Sequence, residues 1–176
     1  MTTTFRDACA RLAVVGFFGF SLAGSPFVAA QSKAADLRQQ IVGAWALVDV
    51  VLEQGGTKSE PFGPNPKGIA TWDANGNFTT ILFRADLPKV ASNNRTTPTP
   101  EEAKTLATGM LVTYGRYSIS DADGTVTLAI EASSFPNWNG AEQKRTITVA
   151  GDEMRVVNPT PPTGGGVAYI VWRRVK

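Results

Sequence analysis

Histidine is absent from all 176 residues, and cysteine occurs once, at Cys9. The first absence removes the imidazole that Ser-His and Cys-His nucleophiles require, together with the commonest nitrogen ligand for zinc. The second leaves no partner for an internal disulfide, so the chain must be held by its apolar core. Neither G-x-x-x-x-G-K-S/T nor G-x-G-x-x-G occurs, so a nucleotide-phosphate cradle is unsupported. Charge is scarce as well: 17 Lys and Arg stand against 15 Asp and Glu, a formal +2, with no basic cluster of the kind that nucleic acids attract. Long hydrophobic runs are also missing, the most prominent being residues 12–22.

That run is preceded by Arg6 and Arg11 and followed by Pro26 and Val28-Ala29-Ala30. As a helix it would reach about 16 Å, against a hydrocarbon core of about 30 Å, so a secretory leader fits better than a membrane anchor. The reading is a signal peptide over residues 1–30, a short polar lead-in over 31–40 and one domain over 41–176. It implies an exported protein, periplasmic or secreted, with no transmembrane segment after cleavage. Cys9 precedes the apolar run, unlike a lipoprotein cysteine.

Beyond Ile41, segments rich in Val, Ile, Thr and aromatics alternate with turn signals, which predicts an all-β domain. Eight strands are expected, at 45–53, 68–73, 78–84, 111–119, 125–133, 143–149, 154–157 and 167–175. Asn75-Gly76 and Gly151-Asp152 mark tight turns. Asp121-Ala122-Asp123-Gly124 lacks the glutamate of a calcium loop and reads as another turn, so no metal site is expected. Between the third and fourth strands, Thr99-Pro100-Glu101-Glu102 carries the signature of a capped helix start, giving one short helix to about Thr108. Short connections favour an antiparallel up-and-down meander, and eight such strands can close into a barrel. A two-sheet sandwich is the alternative. Val126, Leu128 and Ile130 share one strand face, with Thr125, Thr127 and Glu131 on the other; the inward face is left open.

Gly43-Ala44-Trp45, opening the first strand, resembles the G-x-W signature of lipocalins and other calycins. The phrases Pro61-Phe62-Gly63-Pro64-Asn65-Pro66-Lys67-Gly68, Tyr114-Gly115-Arg116-Tyr117, Phe135-Pro136-Asn137-Trp138-Asn139-Gly140 and Gln143-Lys144-Arg145 follow in an order similar to that of the lipocalin-like domain family. The resemblance covers about residues 37–176. It implies a small calycin-type barrel, often exported, that binds a small apolar or amphipathic molecule. It also implies structural roles for Trp45, closing the barrel base, and for Arg174, packing over it. Many members carry His where this chain has Leu128-Ala129, so chemistry dependent on that imidazole is not expected here.

With no His, acid–base work would fall to Tyr114, Arg116, Tyr117, Glu131 and Arg145. Tyr114, Glu131 and Arg145 are the catalytic candidates, and a Glu131–Arg145 pair would otherwise be an exterior cross-strand contact. Trp72, Phe83, Tyr114, Arg116, Glu131, Trp138 and Arg145 are the candidates for binding a ligand, Phe78 being a further aromatic of that kind. Three functions are compatible with these residues. The first is a carrier or sensor of a small hydrophobic ligand, needing no cofactor. The second is a cofactor-free cyclase or isomerase, and the third a periplasmic inhibitor or interaction module.

Overall fold

The computed structural model describes residues 26–176, so most of the expected leader, residues 1–25, lies outside the described residues. Among the described residues the chain forms strands β1 (Gly43–Gln54), β2 (Thr57–Ser59), β3 (Lys67–Trp72), β4 (Asn77–Phe83), β5 (Met110–Ile119), β6 (Val126–Ser133), β7 (Glu142–Ala150), β8 (Glu153–Asn158) and β9 (Val167–Arg174). Helix α1 (Pro26–Ile41) precedes them, and helix α2 (Pro100–Thr108) lies between β4 and β5. Strands β3 to β9 pair in sequence order, all antiparallel, and β1 joins the two ends by pairing with both β3 and β9. The result is a closed eight-stranded up-and-down barrel, not a sandwich. Closure leaves no long free edge, which removes the template for strand-to-strand aggregation.

One strand and one helix depart from the expected pattern. Gly55 and Gly56, at φ of 58° and 78°, turn β1 back on itself, and β2 pairs with Leu52–Gln54. Because β3 pairs only with residues 43–46 of β1, the upper half of β1 is open on that side, and β2 occupies it. The second departure is the lead-in, which belongs to α1. Ala34, Leu37 and Ile41 recur on one helical face and are buried in the main hydrophobic cluster. The core therefore begins before residue 41. Its largest fully buried side chains are Trp45, Trp172, Ile41, Met154 and Val126.

Two devices tie α1 across the base of the barrel. The Trp45 indole N–H donates to Ile41 O at 2.8 Å, and the Arg174 guanidinium donates to Val42 O at 3.0 Å and Gln40 O at 2.6 Å. These bonds satisfy carbonyls that a helix end leaves open, and a cation there suits the helix dipole. Gly43 makes the approach possible: its φ is +132°, and a Cβ would lie 3.1 Å from Arg174 Nη1. In the last turn of the same helix, Arg38 pairs with Asp121 at 2.8 Å and also donates to Ile119 O. Asp121 thus anchors α1 from the β5–β6 turn, while Asp123 caps that turn by accepting from Thr125 N at 3.0 Å.

Helix α2 starts as its sequence requires. Thr99 Oγ1 accepts from Glu102 N, and Glu102 reaches back to Thr99 N, closing the capping box. Its last residues, Ala107 and Thr108, border the same space as Pro61, Phe62 and Pro161–Thr163.

Candidate functional site

Alternation decides which side chains enter the barrel. On β6, Val126, Leu128 and Ile130 are buried, while Ala129 and Glu131 are exposed. On β7 the buried set is Gln143, Arg145 and Ile147. Two irregularities shift this phase. A bulge between Leu47 and Asp49 turns Val48 outward, so Trp45 and Leu47 face inward below it and Val50 and Leu52 above. A second bulge places Tyr114 opposite Ala132 and Gly115 opposite Ile130, leaving Glu131 as the extra residue.

Two adjoining spaces occupy the interior. An inner chamber of about 60 Å³ lies among Trp72, Phe78, Leu128, Trp138, Arg145 and Trp172. Toward the rim it meets a wider vestibule of about 320 Å³ bounded by Val50, Leu52, Phe62, Met110, Phe135 and the 161–163 loop. Leu82, Leu111, Asn158 and Ile170 line both, so the two adjoin along the barrel, narrow inside and wide toward the rim, and together are called the funnel below. The vestibule alone reaches the size of small-molecule sites, which start at about 300 Å³.

The funnel separates the expected site residues into two groups. Trp72, Trp138 and Arg145 line the inner chamber. Tyr114, Arg116 and Glu131 are exposed on the outer face of the barrel, which corrects their expected place in a ligand cavity. The cause is strand phase: Thr113 and Gly115 take the inward positions on β5, and Leu128 and Ile130 take them on β6, which leaves Glu131 on the outer face. Arg116 has other work, donating to Asn77 Oδ1 at 3.0 Å and Asn75 O at 2.8 Å across the β3–β4 turn. Phe83 is half-buried, alternates with the inward Leu82, and lines neither space. Glu131 does not pair with Arg145, because they occupy opposite faces of the sheet.

Arg145 is the unusual group. Its residue is 5% exposed, and no ion pair among the described residues includes it. Nη1 donates to Lys144 O at 2.8 Å, and Nη2 donates to Gln143 Oε1. The guanidinium also lies 6.0 Å from the centre of the Trp138 ring. Burial pushes its pKa down to about 10, which still leaves it charged at neutral pH.

A second donor accompanies it. Trp72 is 4% exposed, stacks on Phe78 at 5.4 Å and meets Tyr117 edge-on at 5.0 Å, yet its indole N–H has no acceptor among the described residues. Tyr117 fixes this corner by donating its hydroxyl to Asp73 O at 2.7 Å. The remaining buried polar side chains satisfy themselves in part: Thr113 Oγ1 bonds to Ser133 Oγ at 3.2 Å, and Asn158 Oδ1 accepts from Thr160 N at 2.9 Å.

Sequence reasoning missed the vestibule. Val50 and Leu52 are out of phase with Trp45 on a regular strand, and Phe62, Phe135 and Pro161 come from loops. The one available signal was the apolar content of those loops, where Pro and Phe interrupt otherwise polar turns.

Among solved structures, the chain is similar to the amine binding protein of Rhodnius prolixus in its tryptamine complex, at 13% identity and a TM-score of 0.39, over 96% of this chain and 72% of that one. Among curated proteins, it is 25% identical over 103 residues to the 4'-hydroxy-3'-methoxypropiophenone carrier protein of Aspergillus oryzae, covering 53% of this chain and 93% of that protein. The model of the lipocalin-like domain matches residues 42–175, from the residue before β1 to the one after β9. A G-x-W strand closed by its arginine, a barrel joined through β1 and β9, and that match over the whole barrel together make this chain a member of the lipocalin-like domain family.

Proposed function

We propose that the protein is a non-catalytic carrier or sensor that holds a small, largely apolar aromatic molecule in the barrel funnel. The observation that carries this reading is that the inner chamber and the vestibule adjoin, sharing Leu82, Leu111, Asn158 and Ile170 as walls. A guest can seat one end among Trp72, Trp138 and Trp172 while its body fills the wider space below the rim loops. The relative named as a carrier of a hydroxylated, methoxylated phenyl ketone supports an aromatic guest. Arg145 is the one ionisable side chain among the residues lining the funnel, so the lining offers a positioning group rather than an acid–base pair.

The test is titration of intrinsic tryptophan fluorescence with aromatic ketones, fatty acids and terpenoids. Trp72, Trp138 and Trp172 all line the inner chamber, so a bound aromatic ketone should change their emission saturably. No saturable change from any class would reject the carrier reading. The proposal includes export, with residues 1–30 acting as a removable leader. Cleavage after Ala30 retains Ala34, Leu37 and Ile41, the residues of α1 that enter the core. An intact mass beginning at Gln31, measured on protein from the native cell envelope, is the expected result; a mass that includes residues 1–30 would reject it.

A further inference from the structure

The inner chamber holds hydrogen-bond donors without matching acceptors. A guanidinium carries more N–H donors than its bonds to Lys144 O and Gln143 Oε1 use. Trp72 adds an indole N–H that is buried and unpaired among the described residues. Both residues line the same space, and its other walls are mainly apolar or aromatic. A buried donor without an acceptor is costly, and a buried cation without a counter-charge more so. Such a pair is retained at low cost when something else brings the acceptor.

Resting on the carrier reading, we infer that the funnel recognises an anionic oxygen head group, a carboxylate or a phenolate, on a planar ligand, seated against Arg145 and the Trp72 indole N–H. An anionic oxygen accepts several hydrogen bonds and supplies the missing charge in one small group, which suits a chamber of about 60 Å³. Trp138, beside the guanidinium, and Phe78, stacked on Trp72, would flank the ring that bears the head group. The ligand body then extends into the vestibule. A cationic amine is disfavoured, because it would bring a second positive charge and no acceptor to Arg145.

Two matched probe pairs test this: cinnamate with cinnamamide, and 4-nitrophenol with 4-nitroanisole. Each pair keeps the ring and removes the anion. Affinities are read by tryptophan quenching and calorimetry at neutral pH, and the nitrophenol absorption band reports whether it binds as the phenolate. The expected result is a preference of about tenfold or more for the anionic member of at least one pair. Arg145→Met should abolish that preference while leaving the uncharged member bound. The pair that responds tells carboxylate from phenolate. If Arg145→Met does not fold, Trp72→Phe carries the same comparison, with the preference reduced about threefold or more.

Equal affinities within both pairs would overturn the inference, and so would a preference that survives Arg145→Met. Saturable binding of neutral ketones alone would also overturn it, leaving the carrier reading intact. Absence of saturable binding by all four probes and by neutral ketones would remove both.

Discussion

The Arg174 guanidinium stacks on the Trp45 ring, 4.0 Å from its centre, and the same guanidinium reaches two carbonyls at the end of α1. One side chain from the last strand therefore holds the first strand and the helix that precedes it. The barrel base is closed by charge and geometry as well as by apolar packing.

Arg174→Met should lower unfolding free energy by about 1–3 kcal/mol, since it removes a cation–π contact and two charge-assisted hydrogen bonds from a partly exposed site. Arg174→Lys should recover less than half of the loss. A single ammonium cannot stack on Trp45 while reaching both Val42 O and Gln40 O. Urea denaturation of the three proteins measures this directly.

Leu37→Ala and Ile41→Ala should each cost about 2–4 kcal/mol, the usual range for large-to-small changes in a packed core. Both residues lie in the main hydrophobic cluster, at 7% and 0% exposure. If α1 were only a tether, neither change would move the denaturation midpoint. Gln39→Ala, on the exposed face of the same helix, is the control and should stay within about 0.5 kcal/mol.

The sequence carried most of the barrel because its strands obey local rules. Asn75-Gly76, Gly151-Asp152 and the Thr99–Glu102 box are chemistry between near neighbours, and the corresponding turns and helix form where they were expected. Gly43, Trp45 and Arg174 point to each other across the chain through the lipocalin-like resemblance, and the structure supplies the reason for the glycine. What local rules cannot reveal is phase across a bulge. Nor can they reveal which face of a strand points inward: Glu131 faces outward with Ala129 because Val126, Leu128 and Ile130 take the interior, a fact of packing across the barrel rather than of composition. Helix α1 is hidden for another reason: over residues 33–41, Ala34, Leu37 and Ile41 are buried between charged and amide residues, so the apolar stripe there is narrow.

Gly115→Ala should be the most damaging small substitution in the barrel wall. A Cβ there would lie 2.1 Å from Ala129 O and 2.8 Å from Glu131 N, both backbone atoms that cannot rotate away. The bulge would have to open, at a cost of about 2 kcal/mol or more. Thermal melting should show a drop of several degrees, and amide exchange should accelerate along β5 and β6 rather than throughout the sheet.

Tyr114→Phe, Arg116→Ala and Glu131→Gln should leave ligand affinity within about twofold, because these side chains stand outside the funnel. Arg116→Ala alone should show a stability loss, about 0.5–1 kcal/mol, from its bonds to Asn77 and Asn75. A large affinity loss in any of the three would place the binding site on the outer wall instead.

Arg145→Met should stabilise the ligand-free protein at neutral pH, by about 1–3 kcal/mol, while removing the anion preference. The sign follows from linkage. Burial lowers the folded-state pKa of Arg145 to about 10, below its value in the unfolded chain, so between the two the unfolded chain binds more protons than the folded one. Stability contributed through this group therefore rises with pH in that window, and the full cost of holding the charge is present below it. The gap between the variant and the wild type should be constant from about pH 7 to pH 9 and should narrow above pH 10, as the wild type becomes able to shed the proton. Parallel urea titrations of both proteins across that range measure the gap. An Arg145→Met protein that is less stable than the wild type at every pH would mean that the guanidinium is held by its bonds to Gln143 and Lys144 more strongly than burial penalises it.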